Sequence, residues 1–316
     1  LYPWSNPFHA VPSIMRLALV VNRSAGTFRR LPVDTTVAAI AAALGGHGHS
    51  VEVEVLGRRQ LAAALAAWAR RDDVDAVVVG GGDGTFLTAV LAGLGRDKPV
   101  GLLPLGTLNL LARDLGLPTD PVAAAACLGQ GRVAEIDLAE VNGLPFAIWA
   151  SLGMHPRVVR RRDKLQAEGL GKWRAFALAA LRAFRRYPLM RGEITVDGVT
   201  SAVTTPIVVI SNNAWAETPL LLPPSRLSLD RGELTVHVAK TTSRLGLLWL
   251  ALNALVGRWR VNRLLAIFSA DQVVVTGRKS RMMLSLDGEV TVLRAPLVFR
   301  THPRSLHVLM PEKPCA

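Results

Sequence analysis

The run Asp75-Ala-Val-Val-Val-Gly-Gly-Gly-Asp-Gly-Thr85 places an apolar, β-branched stretch directly before three glycines, an aspartate, a fourth glycine and a threonine. A segment of helical character, Phe86 to Leu94, follows at once. Glycines at a strand-to-helix turn let backbone approach a ligand closely, and a helix start offers unpaired N–H groups to an anion. That is the chemistry of a phosphate cradle. It lacks the Lys-Ser/Thr ending of a P-loop and the spacing of a dinucleotide fingerprint. A glycine turn in which Asp83 or Thr85 only caps the next helix fits the same residues.

Two further turns have the same build. Pro99-Val-Gly-Leu-Leu-Pro-Leu105 reads as a buried strand, and Gly106-Thr-Leu-Asn109 opens a helix from Leu110 to Leu115. Upstream, a strand from Leu17 to Val21 runs into Asn22-Arg-Ser-Ala-Gly26. In an open α/β sheet such turns lie side by side at the carboxyl edge, where ligands bind.

These pieces resemble the diacylglycerol kinase catalytic-domain family, bacterial lipid kinases related to sphingosine kinases and more distantly to NAD kinases. The resemblance rests on Val20-Val-Asn-Arg-Ser-Ala-Gly26, Gly81-Gly-Asp-Gly-Thr85, Pro104-Leu-Gly-Thr-Leu-Asn109 with Ala112-Arg-Asp-Leu-Gly116, and Leu286-Asp-Gly-Glu289. In order and spacing they span the chain from Met15 to Pro311. One Gly-Gly-Asp-Gly-Thr would be shared with NAD kinases; the four together are more specific.

The resemblance implies ATP as phosphate donor and Mg²⁺ as its companion ion. It assigns the nucleotide to Asn22, Ser24, Gly26, Gly81, Gly82, Asp83, Gly84, Thr85, Gly106, Thr107 and Asn109. Asp83 can hold Mg²⁺ directly or through water, while Thr85 and Thr107 can bond a phosphate or cap a helix. Asp287 corresponds to the family's general base, with Glu289 in support. Read alone, Asp287-Gly288 is a hairpin turn that needs no function; Asp197-Gly198 is read as a second, structural one.

The chain departs from the family's pattern at three places. Leu110 follows Asn109 where many members carry Asp. Ser211-Asn-Asn-Ala-Trp-Ala-Glu-Thr-Pro219 replaces a glycine-rich stretch, so the loop lining the lipid approach is altered. Arg231 stands where an Asp often serves a secondary Mg²⁺ site, with Asp230 beside it as the surviving candidate ligand.

The elements that must position these residues change character near residue 137. Before it, apolar strands alternate with alanine-rich helices at Val37 to Leu44, Gln60 to Arg71, Phe86 to Leu94 and Pro121 to Leu128, the pattern of a parallel sheet. After it, strands cluster with turn signals at Glu135–Val141, Phe146–Ser151, Glu193–Val196, Pro206–Ser211, Gly232–Ala239, Gln272–Thr276, Met282–Leu286 and Glu289–Ala295. Such a run predicts an antiparallel sheet or sandwich. The expected fold is therefore an α/β nucleotide-binding domain over 15–136, with 297–313 packing back on it, and a β-rich lipid-substrate domain over 137–296. Residues 1–14 read as an upstream extension with no secretory pattern.

The 316 residues carry 37 Lys/Arg against 24 Asp/Glu, a net charge of +13. Between Arg157 and Arg191 stand eleven Lys/Arg and only Asp163 and Glu168 as acids. Within that stretch Lys172 to Arg186 has helical spacing, with Trp173, Phe176, Ala180, Leu181 and Phe184 on one face. That face is expected to cover the core, and the arginines Arg182, Arg185 and Arg186 to meet an anionic membrane surface. With two tyrosines and no recognised motif, a nucleic-acid partner is not expected. No apolar run reaches the ~20 residues of a spanning helix; Leu245 to Val256 is too short. Cys127 and Cys315, far apart and without ligand spacing, predict neither a disulfide framework nor a metal site. The seven histidines, His155 included, read as structural or solvent-facing.

Three functions follow. The first is an ATP- and Mg²⁺-dependent lipid kinase, cytoplasmic and peripherally attached to the inner membrane face, for which a homodimer is compatible. The second is a soluble kinase of the NAD kinase type. The third is a catalytically inactive, membrane-associated binding protein of the same fold.

Overall fold

The computed structural model describes residues 14–217, 225–258, 263–313 and 315. All but the last residue of the expected N-terminal extension, and Thr218 and Pro219 of the altered loop, lie outside them. The chain splits into two units, Leu1–Asp137 with Pro303–Ala316, and Leu138–His302.

The first unit begins with β1 (Arg16–Asn22), α1 (Val33–Gly45), β2 (Ser50–Leu56), α2 (Arg58–Ala69), β3 (Ala76–Gly81), α3 (Asp83–Leu91), β4 (Val100–Pro104), α4 (Leu110–Asp114) and α5 (Pro121–Gly129). Every residue of β3 and β4 is buried. Continuous apolar strands of this kind belong inside a parallel sheet covered on both faces. The strands are parallel in the order β2-β1-β3-β4. From β1 the chain steps outward to β2 and then back across to β3, so the order reverses between β1 and β3, where α/β sheets bind ligands.

β5 (Arg132–Val141) carries the chain from the first unit into the second, where it is followed by β6 (Leu144–Phe146), β7 (Trp149–Gly153), α6 (Met154–Ala167), α7 (Lys172–Arg186), β8 (Met190–Val196), β9 (Val199–Thr205), β10 (Ile207–Asn212) and β11 (Leu234–Ala239). Then come α8 (Arg244–Leu255), β12 (Leu265–Ala270), β13 (Gln272–Gly277), β14 (Arg281–Leu286), β15 (Glu289–Arg294) and β16 (Leu297–Met310). One sheet runs β12-β11-β10-β7-β14-β15, with antiparallel neighbours throughout. Facing it, the first part of β16 pairs antiparallel with β13, which continues through β8 to β9. Val208, Ile210, Val236 and Leu284 of the first sheet share a buried core with Val273, Val275, Leu297 and Phe299 of the second. The later part of β16 pairs parallel with β4 in the first unit.

Two expectations are corrected. Cys127 and Cys315 form a disulfide despite a sequence separation of 188. Residues of β16 beside β4 return the C-terminal segment to the first unit, where the Cys315 N–H donates to the Gly116 carbonyl at 3.1 Å. The aromatic face of α7 does not cover a core. Its buried stripe is Ala175, Ala179 and Ala183, packed with Val158 and Leu165 of α6, whereas Trp173 is 77% exposed and Phe176 and Leu181 are also exposed. Small residues at i, i+4 spacing let two helices approach closely, leaving the bulky face outward.

Candidate active site

In the first unit the three glycine turns converge. The N–H groups of Leu105 and Gly106 both donate to the Gly81 carbonyl, at 2.9 and 3.0 Å, and the Thr27 N–H donates to the Leu105 carbonyl at 3.0 Å. A Cβ on Gly82 would meet the Gly106 Cα at 3.1 Å, and one on Gly26 would meet the Thr107 hydroxyl at 3.2 Å. A Cβ on Gly106 would overlap Gly82, and one on Gly81 would overlap Thr85. Gly82 and Gly106 are required by close approach of backbone to backbone, and Gly81 by the Thr85 side chain packed against it. Asn22 Nδ2 reaches the buried Thr85 hydroxyl at 3.4 Å, and Asn22 Oδ1 accepts from the Ser24 N–H at 3.0 Å. Asn22, Gly26, Gly81, Gly82, Thr85, Gly106, Thr107 and Asn109 thus share one locus. Ser24 is an exposed member of the first turn, and Gly84 lies in the first turn of α3, where its carbonyl accepts the Thr88 hydroxyl at 2.8 Å.

Asp83 does cap a helix, but not its own. Its carboxylate accepts the N–H groups of Leu110 and Leu111 at 3.3 and 3.0 Å, joining the start of α3 to the start of α4. Asn109 stands in the left-handed region at φ 49, a conformation Asn tolerates. Its Nδ2 donates to the Gly106 carbonyl at 3.2 Å, while its Oδ1 is buried with no hydrogen-bond partner. A buried acceptor left unpaired costs roughly 1–3 kcal/mol, so an oxygen held this way beside two glycine turns is suited to a ligand that supplies a donor or a cation. Mg²⁺ is typically held by one or two carboxylates together with substrate phosphates. Asp83 and the Asn109 oxygen fit that requirement. Among the described residues no three His, Cys, Asp or Glu gather as an all-protein metal site.

In the second unit Asp287 sits at φ 44 and Gly288 at φ 88, a two-residue hairpin turn between β14 and β15. The carboxylate does more than serve the turn. Oδ2 accepts the Ala147 N–H at 2.7 Å, and Oδ1 accepts those of Ile148 and Trp149 at 2.9 and 2.8 Å. The Ala147 carbonyl in turn accepts from buried Arg226 at 2.7 Å and from Asn212 at 3.2 Å. Arg226 carries no signal in the sequence; Asn212 and Asn213 show one, as a polar pair ending the apolar strand β10. Trp215 of the same loop stacks on His237 and meets Trp149 edge-on, with centroids 5.0 and 5.6 Å apart. Glu289 begins β15 opposite Leu286 and is exposed. Asp230 is bonded by the Ser228 hydroxyl in a tight turn of the same unit. His155, at the start of α6, has its Nδ1 2.6 Å from the Ser151 hydroxyl. Burial, and secondarily Arg162, pushes its pKa down to about 4.

Residues 16–141 match the diacylglycerol kinase catalytic domain, and residues 149–310 match the YegS C-terminal NAD kinase beta sandwich-like domain. The chain is 32% identical over 255 residues to a diacylglycerol kinase of Mycobacterium tuberculosis (strain H37Rv), covering 71% of this chain and 79% of that one. It is 24% identical over 240 residues to an uncharacterized protein of Synechocystis sp., covering 74% of this chain and 54% of that relative's length. The crystal structure of a diacylglycerol kinase from Bacillus anthracis str. Sterne shares the fold, with a TM-score of 0.67 at 16% identity over 94% of this chain and 97% of that one. The protein is therefore of the two-domain lipid kinase class: it belongs to the diacylglycerol kinase family. Kinases of this family are phosphotransferases, and among the described residues no helix is long and apolar enough to cross a membrane.

Proposed function

We propose that the protein transfers the γ-phosphoryl group of ATP to a hydroxyl of a membrane lipid of the diacylglycerol class. The observation that carries this reading is the meeting of three glycine turns at the carboxyl ends of β1, β3 and β4, with the Asn109 oxygen unpaired among them. Phosphoryl transfer needs positioning and charge neutralisation more than covalent help. The glycine turns cradle the nucleotide phosphates, with Thr85 and Thr107 supplying hydroxyls and Asn22 and Ser24 closing one side. Mg²⁺, when bound at Asp83, supplies neutralisation of the charge on the transferred group. Asp287 accepts the proton of the lipid hydroxyl, its carboxylate fixed in one orientation by three backbone amides, and Glu289 supports it.

The membrane side of the proposal rests on α7 and α8. Trp173, Phe176 and Leu181 of α7, and Leu245, Leu248, Trp249 and Leu252 of α8, are exposed. The helices are joined where Arg244 donates to the Arg185 carbonyl at 2.7 Å and the Tyr187 hydroxyl donates to the Ser243 carbonyl at 2.8 Å. Arg182, Arg185, Arg186 and Arg244 accompany this apolar surface. Such a combination suits an anionic leaflet, where each basic residue contributes about 1 kcal/mol. The location proposed is the inner face of a membrane.

Incubation with radiolabelled ATP and Mg²⁺ against a panel of diacylglycerol micelles, other hydroxyl lipids, NAD and nucleosides tests the reading. Label in an organic-soluble phospholipid supports it. Label in NADP would make the protein a soluble kinase of the NAD kinase type, and no transfer to any acceptor would make it a binding protein.

A further inference from the structure

The second unit contains a cavity of about 250 Å³ that the proposed reaction does not use. Five of its lining residues are cationic: Arg157 of α6, Arg191 of β8, Arg278 and Lys279 of the β13–β14 turn, and Arg281 of β14. No carboxylate lines it; the neighbouring Glu193 borders a separate hollow along β8 and β9. None of the five cations makes an ion pair among the described residues. Five like charges drawn from four segments of the fold repel one another, and the positive field they make attracts an anion.

The cavity lies at the far end of the strands that carry Asp287. β14 runs from Arg281 to Leu286 and then into Asp287, while β7 runs from Trp149, whose carbonyl accepts the Asp287 N–H, to Gly153 at the cavity. At ~3.4 Å per residue the six steps from Arg281 to Asp287 put the two about 20 Å apart. The lining also includes the apolar side chains of Leu152, Leu189, Met282 and Met283. Methionine pairs adapt to irregular apolar groups.

We infer that this cavity binds a phosphate ester, the cations holding the phosphate and the apolar side chains receiving whatever the ester carries. The site goes beyond the kinase reading and stands without it. Its volume, below the ~300–1,000 Å³ of sites for drug-sized ligands, suits a headgroup rather than a whole nucleotide. Arginine forks match phosphate oxygens in pairs, the strongest form of such recognition.

Isothermal titration of the full chain with glycerol 3-phosphate, and with dihexanoyl phosphatidic acid below its micellar concentration, reads the site. Wild type is expected to bind both. Tighter binding of the lipid assigns the source to a lipid headgroup, and equal binding assigns it to a free phosphate ester. Arg281→Gln and Arg157→Gln alter exposed side chains on different elements, and each should weaken binding about tenfold. Arg59→Gln on α2 should leave it unchanged, as should Gly106→Ala, which acts on the nucleotide turns. Undiminished binding in both Arg281→Gln and Arg157→Gln, absence of binding in wild type, or loss in Gly106→Ala alone would overturn the proposal.

Discussion

Replacing Asp287 by Asn tests two roles of one carboxylate at once. The new amide can keep its carbonyl on the Ile148 and Trp149 N–H groups, but its NH₂ then faces the Ala147 N–H, which now lies 2.7 Å from Oδ2. Ala147 is 3% exposed, so no water takes over. A buried N–H without an acceptor costs roughly 1–3 kcal/mol, and losing the charge on the other two bonds adds up to about 1 kcal/mol each. At roughly 2–4 °C per kcal/mol for a unit of this size, the melting temperature should fall by roughly 2–20 °C. Assayed well below that temperature, turnover should fall a further ~100-fold or more if Asp287 is the base. Gly288→Ala provides the comparison. At φ 88 the added Cβ strains the hairpin by roughly 1–2 kcal/mol yet leaves the carboxylate in place, so turnover should survive. Thermal melts by circular dichroism and initial rates on dispersed lipid are the assays. A melting temperature of Asp287→Asn within about 2 °C of wild type would refute the anchoring role. Unimpaired turnover would refute the base, and so would an equal loss in Gly288→Ala.

Gly106→Ala should lower ATP affinity at least tenfold (roughly 1.4 kcal/mol), because its Cβ forces Gly82 away; unchanged affinity by titration in a folded protein would count against the cradle. Trp173→Ser with Trp249→Ser should leave the melting temperature within about 2 °C, since both rings are exposed, yet abolish sedimentation with anionic vesicles. Retained vesicle binding would make that apolar face irrelevant to membranes. His155 titrates near 4 in the folded chain against about 6.5 unfolded, so its contribution is complete above pH 6.5 and is lost as pH falls from 6.5 towards 4. That difference is worth up to about 3 kcal/mol. Denaturant melts should show this loss in wild type and not in His155→Asn, and parallel profiles would contradict it.

Much of the fold could be read from the chain because its signals are local. Apolar β-branched runs ending in glycine gave β3 and β4 with their turns, and α7 spans the same residues its helical spacing indicates, Lys172–Arg186. What the chain concealed depends on distant partners. The Asp83 carboxylate serves amides 27 and 28 residues away, and that of Asp287 serves amides about 140 residues away. α6 was hidden by Pro156 and a run of arginines, whereas the alternating Val-Glu pattern of β2 is a strand signal in the chain, exposing Glu52 as an edge strand allows. The orientation of α7 turned on alanines rather than aromatics. Hydrophobicity favours the larger stripe for burial, whereas close packing on α6 selects the smaller one.

The claim at the centre is that nucleotide phosphates sit where the three glycine turns meet. Glycine-selective ¹⁵N labelling of the intact chain, followed by titration with Mg²⁺ and a non-hydrolysable ATP analogue, observes that locus atom by atom. The amide signals of Gly26, Gly82, Gly84 and Gly106 should shift together with one saturation curve, while those of Gly143 and Gly198 in the β-rich unit stay in place. Saturable binding that moves Gly143 and Gly198 and leaves the four turn glycines unmoved would contradict the account.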